Sequence, residues 1–428
     1  MVKVTTMWET LTLPVIPYKE IKDLYILGDC SDVITALDDS LITVNTVLGS
    51  RYVAGIRDFV DSWRTRFMYF QETIEEWLCC QKSWSYLEII FGSPDIIRQL
   101  PVPAKTFQAV DKSWKYIMKQ TNDDPNALRA TTNDTNRRDL FKQHNANLDQ
   151  IQKDLEDYLE TKRMIFPRFY FLSNDELLQI LSQAKDPKAV QPHLRKCFDN
   201  LFKLDFSNEE CSTDITGMIS SEGERVALGK NLKARGNVEE WLTSVEKRMK
   251  ESLHSHMKIG LLDYDTKARD EWIYLHPGQI VATVAQMVWA RETETVLKGG
   301  SKNSPGGMKK WALKYKTDLH KLILKIRGSL DKLVRLVIVA LITTDVHARD
   351  IIEELHERNV ISTHDFLWQQ QLRYHWNVDA DDCVIYHSDA KVCYYYIDFL
   401  CIIVIIILTF YIVLSTTSLH YSIPKHIP

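Results

Sequence analysis

The chain runs to 428 residues, which at about 150 residues per domain leaves room for two or three domains or one extended body. It is 45% hydrophobic and 26% charged with only 15 Gly and 13 Pro, which excludes collagen-like, linker-dominated and turn-rich all-β designs as well as wholesale disorder. With 53 basic and 57 acidic residues the formal net charge is −4, so no global positive field exists to hold a nucleic acid by its phosphates.

Met1 to Glu20 has no basic start leading into an apolar core, so no signal peptide is expected. Ile56, Phe59, Trp63, Phe67, Phe70, Ile74 and Trp77 recur in steps of three and four, which predicts one buried face of a long helix opposite Arg57, Asp61, Arg64 and Glu72. The rhythm returns at His144, Leu148, Ile151, Leu155 and Tyr158. Ser173 to Glu176 has the form of a capping box opening a helix over Leu177 to Leu181, and Asp186-Pro187 breaks it before a helical stretch over Leu194 to Leu201. Ile215 to Ser220 and Arg225 to Leu228, flanking Ser221-Glu222-Gly223, predict a hairpin. Asn237 is placed to cap a helix carrying Val238, Trp241, Leu242 and Val245, and Gly278 starts another through Ile280, Val284, Met287 and Val288 to Arg291. Gly299 to Gly307 has the composition of a loop.

Tests for chemistry nominate no active site. Gly223 to Lys230 comes nearest to a phosphate-binding loop, but five residues separate its glycines and Asn231 stands where a magnesium-binding hydroxyl is needed. His254 and His256 are two apart and diverge on a helix, while His347, Glu353 and His356 lack zinc-protease spacing. Asp38-Asp39, Glu75-Glu76 and Asp381-Asp382 read as solvated or ion-paired carboxylates. The eight cysteines include no Cys-x-x-Cys pair, and Cys79 and Cys80 point different ways around a helix; they read as reduced thiols, which makes the Asn133 to Thr135 sequon a chance match. The eleven tryptophans, Trp368 and Trp376 among them, fall on predicted helices and read as helix–helix packing. Catalytic, cofactor-binding and metal residues are therefore all expected to be none.

Several strings, in order, resemble the linker region of dynein heavy chains. Arg163-Met164-Ile165-Phe166-Pro167-Arg168-Phe169-Tyr170-Phe171-Leu172-Ser173-Asn174-Asp175-Glu176 is similar to its central signature, and Asp186-Pro187-Lys188-Ala189-Val190-Gln191-Pro192-His193-Leu194 resembles the axonemal branch. Upstream stand Leu37 to Ser40, Leu48 to Ser50, Trp84 to Glu88, Phe91 to Ile96 and Val110 to Trp114; downstream stand Met218 to Glu224, Gly236 to Leu242, His276 to Val281, Asp345 to Asp350 and Trp368 to Arg373. The likeness covers Trp8 to Cys393.

The resemblance implies a mainly α fold, an elongated multi-helix bundle arch with one small β-hairpin; beyond the likeness, composition predicts an apolar C-terminal helix. The expected divisions are a first helical half of the linker over 1–206, a β-hairpin insert over 207–235, a second helical half over 236–393 leading toward an absent first AAA+ module, and an apolar tail over 394–428. The resemblance implies that the segment is the lever of a minus-end-directed microtubule motor of axonemal type, for cilium or flagellum movement, with no cofactor of its own; ATP and Mg belong to the full-length family. The implied partners are the AAA+ ring and the intermediate and light intermediate chains, with microtubules only indirectly and no nucleic acid. The implied place is the cytoplasm, cytoskeleton and ciliary axoneme. Phe399 to Leu414 contains no charged residue, and its extension over 397–419 reads either as a membrane anchor on a tethered scaffold or, preferred, as read-through into non-coding sequence.

Overall fold

The computed structural model describes residues 2–19, 23–132, 136–183, 186–207, 213–299 and 307–393. The described residues fall into two compact units, one within 1–164 and 174–184 and the other within 165–173 and 185–428.

The first unit contains α1 (Val2–Thr10), the antiparallel ribbon β1 (Val15–Pro17) and β2 (Tyr25–Leu27), α2 (Ser31–Leu48), α3 (Arg57–Phe91), α4 (Pro94–Gln99), α5 (Pro101–Asp123), α6 (Ala127–Thr132), α7 (Arg137–Ile165) and α8 (Asn174–Ser182). Proline opens both α4 and α5, a position whose N–H has no intrahelical partner anyway. The 35 residues of α3 bury Val60, Trp63, Phe67, Phe70, Ile74, Trp77 and Trp84 along one stripe. Phe141 of α7 lies 4.9 Å from Trp77 and 6.4 Å from Trp114 of α5, and Trp114 stacks on Trp84 at 5.1 Å. An aromatic column thus joins three helices, with large buried area on side chains that have few rotors to freeze.

The second unit contains α9 (Gln191–Cys197), an antiparallel sheet of β3 (Leu201–Phe206), β4 (Asp214–Ser220) and β5 (Arg225–Lys233), then α10 (Val238–Thr266), α11 (Arg269–Trp272), α12 (Gly278–Lys298), α13 (Gly307–Ile326), α14 (Lys332–Glu357) and α15 (Phe366–Gln369). A second antiparallel sheet follows, β6 (Arg373–Asn377), β7 (Asp382–His387) and β8 (Ala390–Cys393). Ile280, Val281, Val284, Met287, Val288 and Ala290 bury the N-terminal turns of α12 on every side, and α10, α13, α14 and β6 cover the helix. Gly260 lets α10 come close, since a Cβ there would stand 2.8 Å from Ile280 Cγ2.

The mainly helical expectation holds, and the details depart from it in identifiable places. Ile56 and Phe59 are 49% and 50% exposed, because Val53–Ile56 forms a 3-10 turn and the buried stripe starts at Val60. Leu201 opens β3 instead of ending a helix, so the expected hairpin is the outer part of a three-stranded sheet. Its turn is where the sequence put it, with Gly223 at φ +92°, a conformation that costs glycine nothing. Trp376 stands in β6 opposite Cys383, not on a helix, because the pairing partner that makes it a strand lies in β7. Asn237 precedes α10 at the cap position, but its amide donates to Glu240 Oε1 at 3.0 Å instead of its oxygen accepting a backbone N–H.

The expected apolar helix over 399–414, residues 300–306 of the glycine loop and the sequon over 133–135 lie outside the described residues. Among the described residues, no helix is long and apolar enough to cross a membrane.

Candidate functional site

The motif fragments weighed for chemistry are dispersed. Gly229 and Lys230 lie inside β5, paired to β4, so Gly223 to Lys230 does not form a strand-to-helix cradle for a phosphate. His254 Nε2 approaches the Asp381 carbonyl at 2.5 Å, and Glu353 pairs with Lys316 at 2.5 Å. Asp38, Asp39 and Glu75 face solvent, while Asp381 pairs with Lys258. Among the described residues, no group of three or more His, Cys, Asp or Glu side chains is arranged to hold a metal ion.

What the fold does bring together are the signature strings. In the first unit the Trp84 to Glu88 string meets the Val110 to Trp114 string: besides the ring stack, Trp84 Nε1 donates to Asp111 Oδ1 at 3.1 Å and Lys115 pairs with Asp111 at 2.7 Å. Ser113 Oγ lies 2.8 Å from His144 Nε2, which fastens α5 to α7. Ser40, the last residue of the Leu37 string, accepts from Trp8 Nε1 at 2.9 Å and donates to the Ala36 carbonyl at 2.6 Å. A tryptophan N–H buried without such an acceptor would be costly, so each contact fixes where its helix can sit.

In the second unit the Met218 to Glu224 string meets the His276 to Val281 string. Glu224 Oε1 accepts from the Gly278 backbone N–H at 2.8 Å, placing a carboxylate on the positive end of α12. Burial pushes the Glu224 carboxyl up, and the Gly278 hydrogen bond acts in the opposite sense. His276 Nε2 faces Asp263 Oδ2 at 3.1 Å; burial draws its pKa down against the pull of Asp263.

Asp345, which begins another signature string, is 2% exposed on α14. Arg269 Nη2 donates to its two oxygens at 3.0 and 2.7 Å, and Tyr315 OH of α13 donates to Oδ1 at 2.8 Å. Burial works against the Arg269 charge, yet Asp345 more than offsets it and the guanidinium pKa is raised; Tyr315 is pushed far up by burial and by the same carboxylate. This one buried carboxylate ties α11, α13 and α14 together.

The last string, Trp368 to Arg373, is bound in the same manner. Trp368 packs against Trp289 of α12 at 5.2 Å, and Gln369 Oε1 accepts from Arg373 Nη2 at 2.7 Å. Glu294 of α12 receives Lys298 Nζ at 3.0 Å and His375 Nε2 at 3.3 Å. Burial alone would raise the Glu294 carboxyl; the hydrogen bonds from His375 and Lys298 hold it at about 2. Arg269, Tyr315, Glu294 and His375 carry no local pattern that marks them, and the signature strings beside them were the only signal. The arrangement holds helices in fixed relation.

Residues 1–260 match the family described as Dynein heavy chain, N-terminal region 2. The chain is 48% identical over 399 residues to Dynein axonemal heavy chain 6 of Homo sapiens, covering 89% of this chain and 10% of that protein. It is 41% identical over 389 residues to Dynein axonemal heavy chain 1 of Mus musculus, covering 91% of this chain and 9% of that one. Against Dynein axonemal heavy chain 12 of Homo sapiens the identity is 40% over 393 residues, 91% of this chain and 12% of the relative. The chain thus spans about a tenth of the length of these curated relatives. Several of the strings that suggested the resemblance meet across helices in the fold, and with the match over most of its length this chain belongs to the dynein heavy-chain family.

Proposed function

We propose that this chain is the linker segment of an axonemal-type dynein heavy chain, acting as the lever through which a ring of AAA+ modules moves cargo along a microtubule toward its minus end. A lever must carry force without its parts sliding. The observation that carries the reading is the buried Asp345 carboxylate, which binds Arg269 of α11 and Tyr315 of α13 and so cross-ties three helical elements. Long helices with aromatic packing support the same role, because dense interiors transmit strain.

In this reading ATP and Mg are bound by the ring of the full heavy chain, and the linker works with that ring and with the intermediate and light intermediate chains in the ciliary axoneme. Microtubules are met only through the rest of the motor. The test places R269Q in a full-length axonemal heavy chain containing this segment and compares microtubule gliding with ATP turnover. A lever role predicts slower gliding while basal ATP turnover stays near that of the parent. Loss of turnover in step with gliding, or no change in gliding, counts against it.

A further inference from the structure

We propose that the exposed face of α13 is a docking surface for an acidic amphipathic helix of a protein partner. Residues 307–335 hold nine Lys or Arg against two Asp, in a chain whose net charge is −4. Part of that charge is neutralised at home: Lys314 pairs with Glu292, Lys316 with Glu353, Lys321 with Asp318 and Lys325 with Asp270. Lys309, Lys310, Arg327 and Lys332 have no carboxylate partner among the described residues.

The apolar component lies within this charge. Leu313 and Leu324 are 67% and 52% exposed, although α13 buries Trp311, Tyr315, Leu319 and Leu322 on its other side. Lys310, Leu313, Thr317, His320 and Leu324 follow one another in steps of three and four, and all are exposed, so they form one row along the helix. Two exposed leucines on a row flanked by unpaired cations match a helix with leucines on its facing side and carboxylates beside them. Single-stranded nucleic acid fits less well, because its bases need exposed aromatic platforms and the two aromatic rings of α13 are buried.

The test uses the whole 428-residue chain and a synthetic peptide of leucine–glutamate heptads, with a scrambled peptide of equal composition as control. Fluorescence anisotropy is expected to show the patterned peptide binding about tenfold more tightly than the scrambled one. K309E/K310E is expected to weaken it about tenfold, with a further loss on raising salt from about 50 to about 200 mM. L313S/L324S is expected to weaken it about fivefold, with the salt dependence retained. All four residues are exposed, and unchanged circular dichroism and melting temperature establish that each variant folds. Equal binding of the two peptides, tighter binding of heparin or of phosphatidylserine vesicles, or no binding at about 100 μM peptide overturns the proposal.

Discussion

Arg269 reaches both carboxylate oxygens of Asp345 through one nitrogen, Nη2, at 3.0 and 2.7 Å, although 76 residues separate the two in the chain. Asp345 is 2% exposed, so neither water nor a surface cation can replace the partner if it is lost. Removing one member leaves an uncompensated buried charge, and D345N or R269Q is expected to cost about 3–5 kcal/mol in urea unfolding. R269M/D345L, which removes both charges, is expected to cost much less than either single change. Y315F takes away one of the three hydrogen bonds to this carboxylate and is expected to cost about 1 kcal/mol. Strictly additive effects for the two charge partners would contradict this account.

The Trp84 and Trp114 stack predicts a graded response. W84F keeps an aromatic ring in the column but loses the Nε1 hydrogen bond to Asp111, at an expected cost of about 1–2 kcal/mol. W84A also empties the site and is expected to cost about 3–5 kcal/mol. The comparison of urea midpoints checks the order, and equal losses would show that the ring itself contributes little.

Glycine inside a helix usually invites alanine, which gains about 1 kcal/mol of helix propensity. At Gly260 the sign is expected to reverse. The new methyl would meet Ile280 Cγ2 at 2.8 Å, on a β-branched side chain with little freedom to turn away. Overpacking of this kind costs about 1–3 kcal/mol, so G260A is expected to lower the melting temperature. A rise in melting temperature would mean that α10 and α12 can separate without loss.

Acidification is expected to weaken the fold in two windows. Burial holds His144, His276 and His347 below the ordinary histidine range, with Asp263 and Asp350 pulling the last two partly back. The unfolded chain therefore binds protons that the folded chain refuses, and stability falls as pH drops through about 6.5. Urea midpoints measured at pH about 7 and about 5.5 check the sign, and a midpoint that rises on acidification would contradict it.

Glu294 sets the lower window. Its folded-state value of about 2 lies under the usual 4.5, so the stability it contributes is present above 4.5 and disappears as pH falls toward 2. After discounting for solvent screening this amounts to about 1–2 kcal/mol. E294Q is expected to lose that amount at neutral pH, and the gap from the parent is expected to close on titration through the window. A gap that stays constant with pH would assign the loss to packing.

By itself the sequence determined the helical character of the chain, most of the buried stripes on α3 and α7, the turn at Gly223 and the membership in a motor family. These are local properties: a 3.6-residue period, a turn residue and an ordered set of short strings are all written in consecutive positions. Only the tertiary structure decided that Trp84 meets Trp114, that Glu224 caps α12, that Arg269 answers Asp345, and that Trp376 belongs to a strand. Each of those depends on which distant segment arrives opposite, and no local period specifies that. The buried stripe says only that a helix needs a partner; the choice among partners rests on ring shape, hydrogen-bond geometry and the cost of leaving a buried charge unanswered.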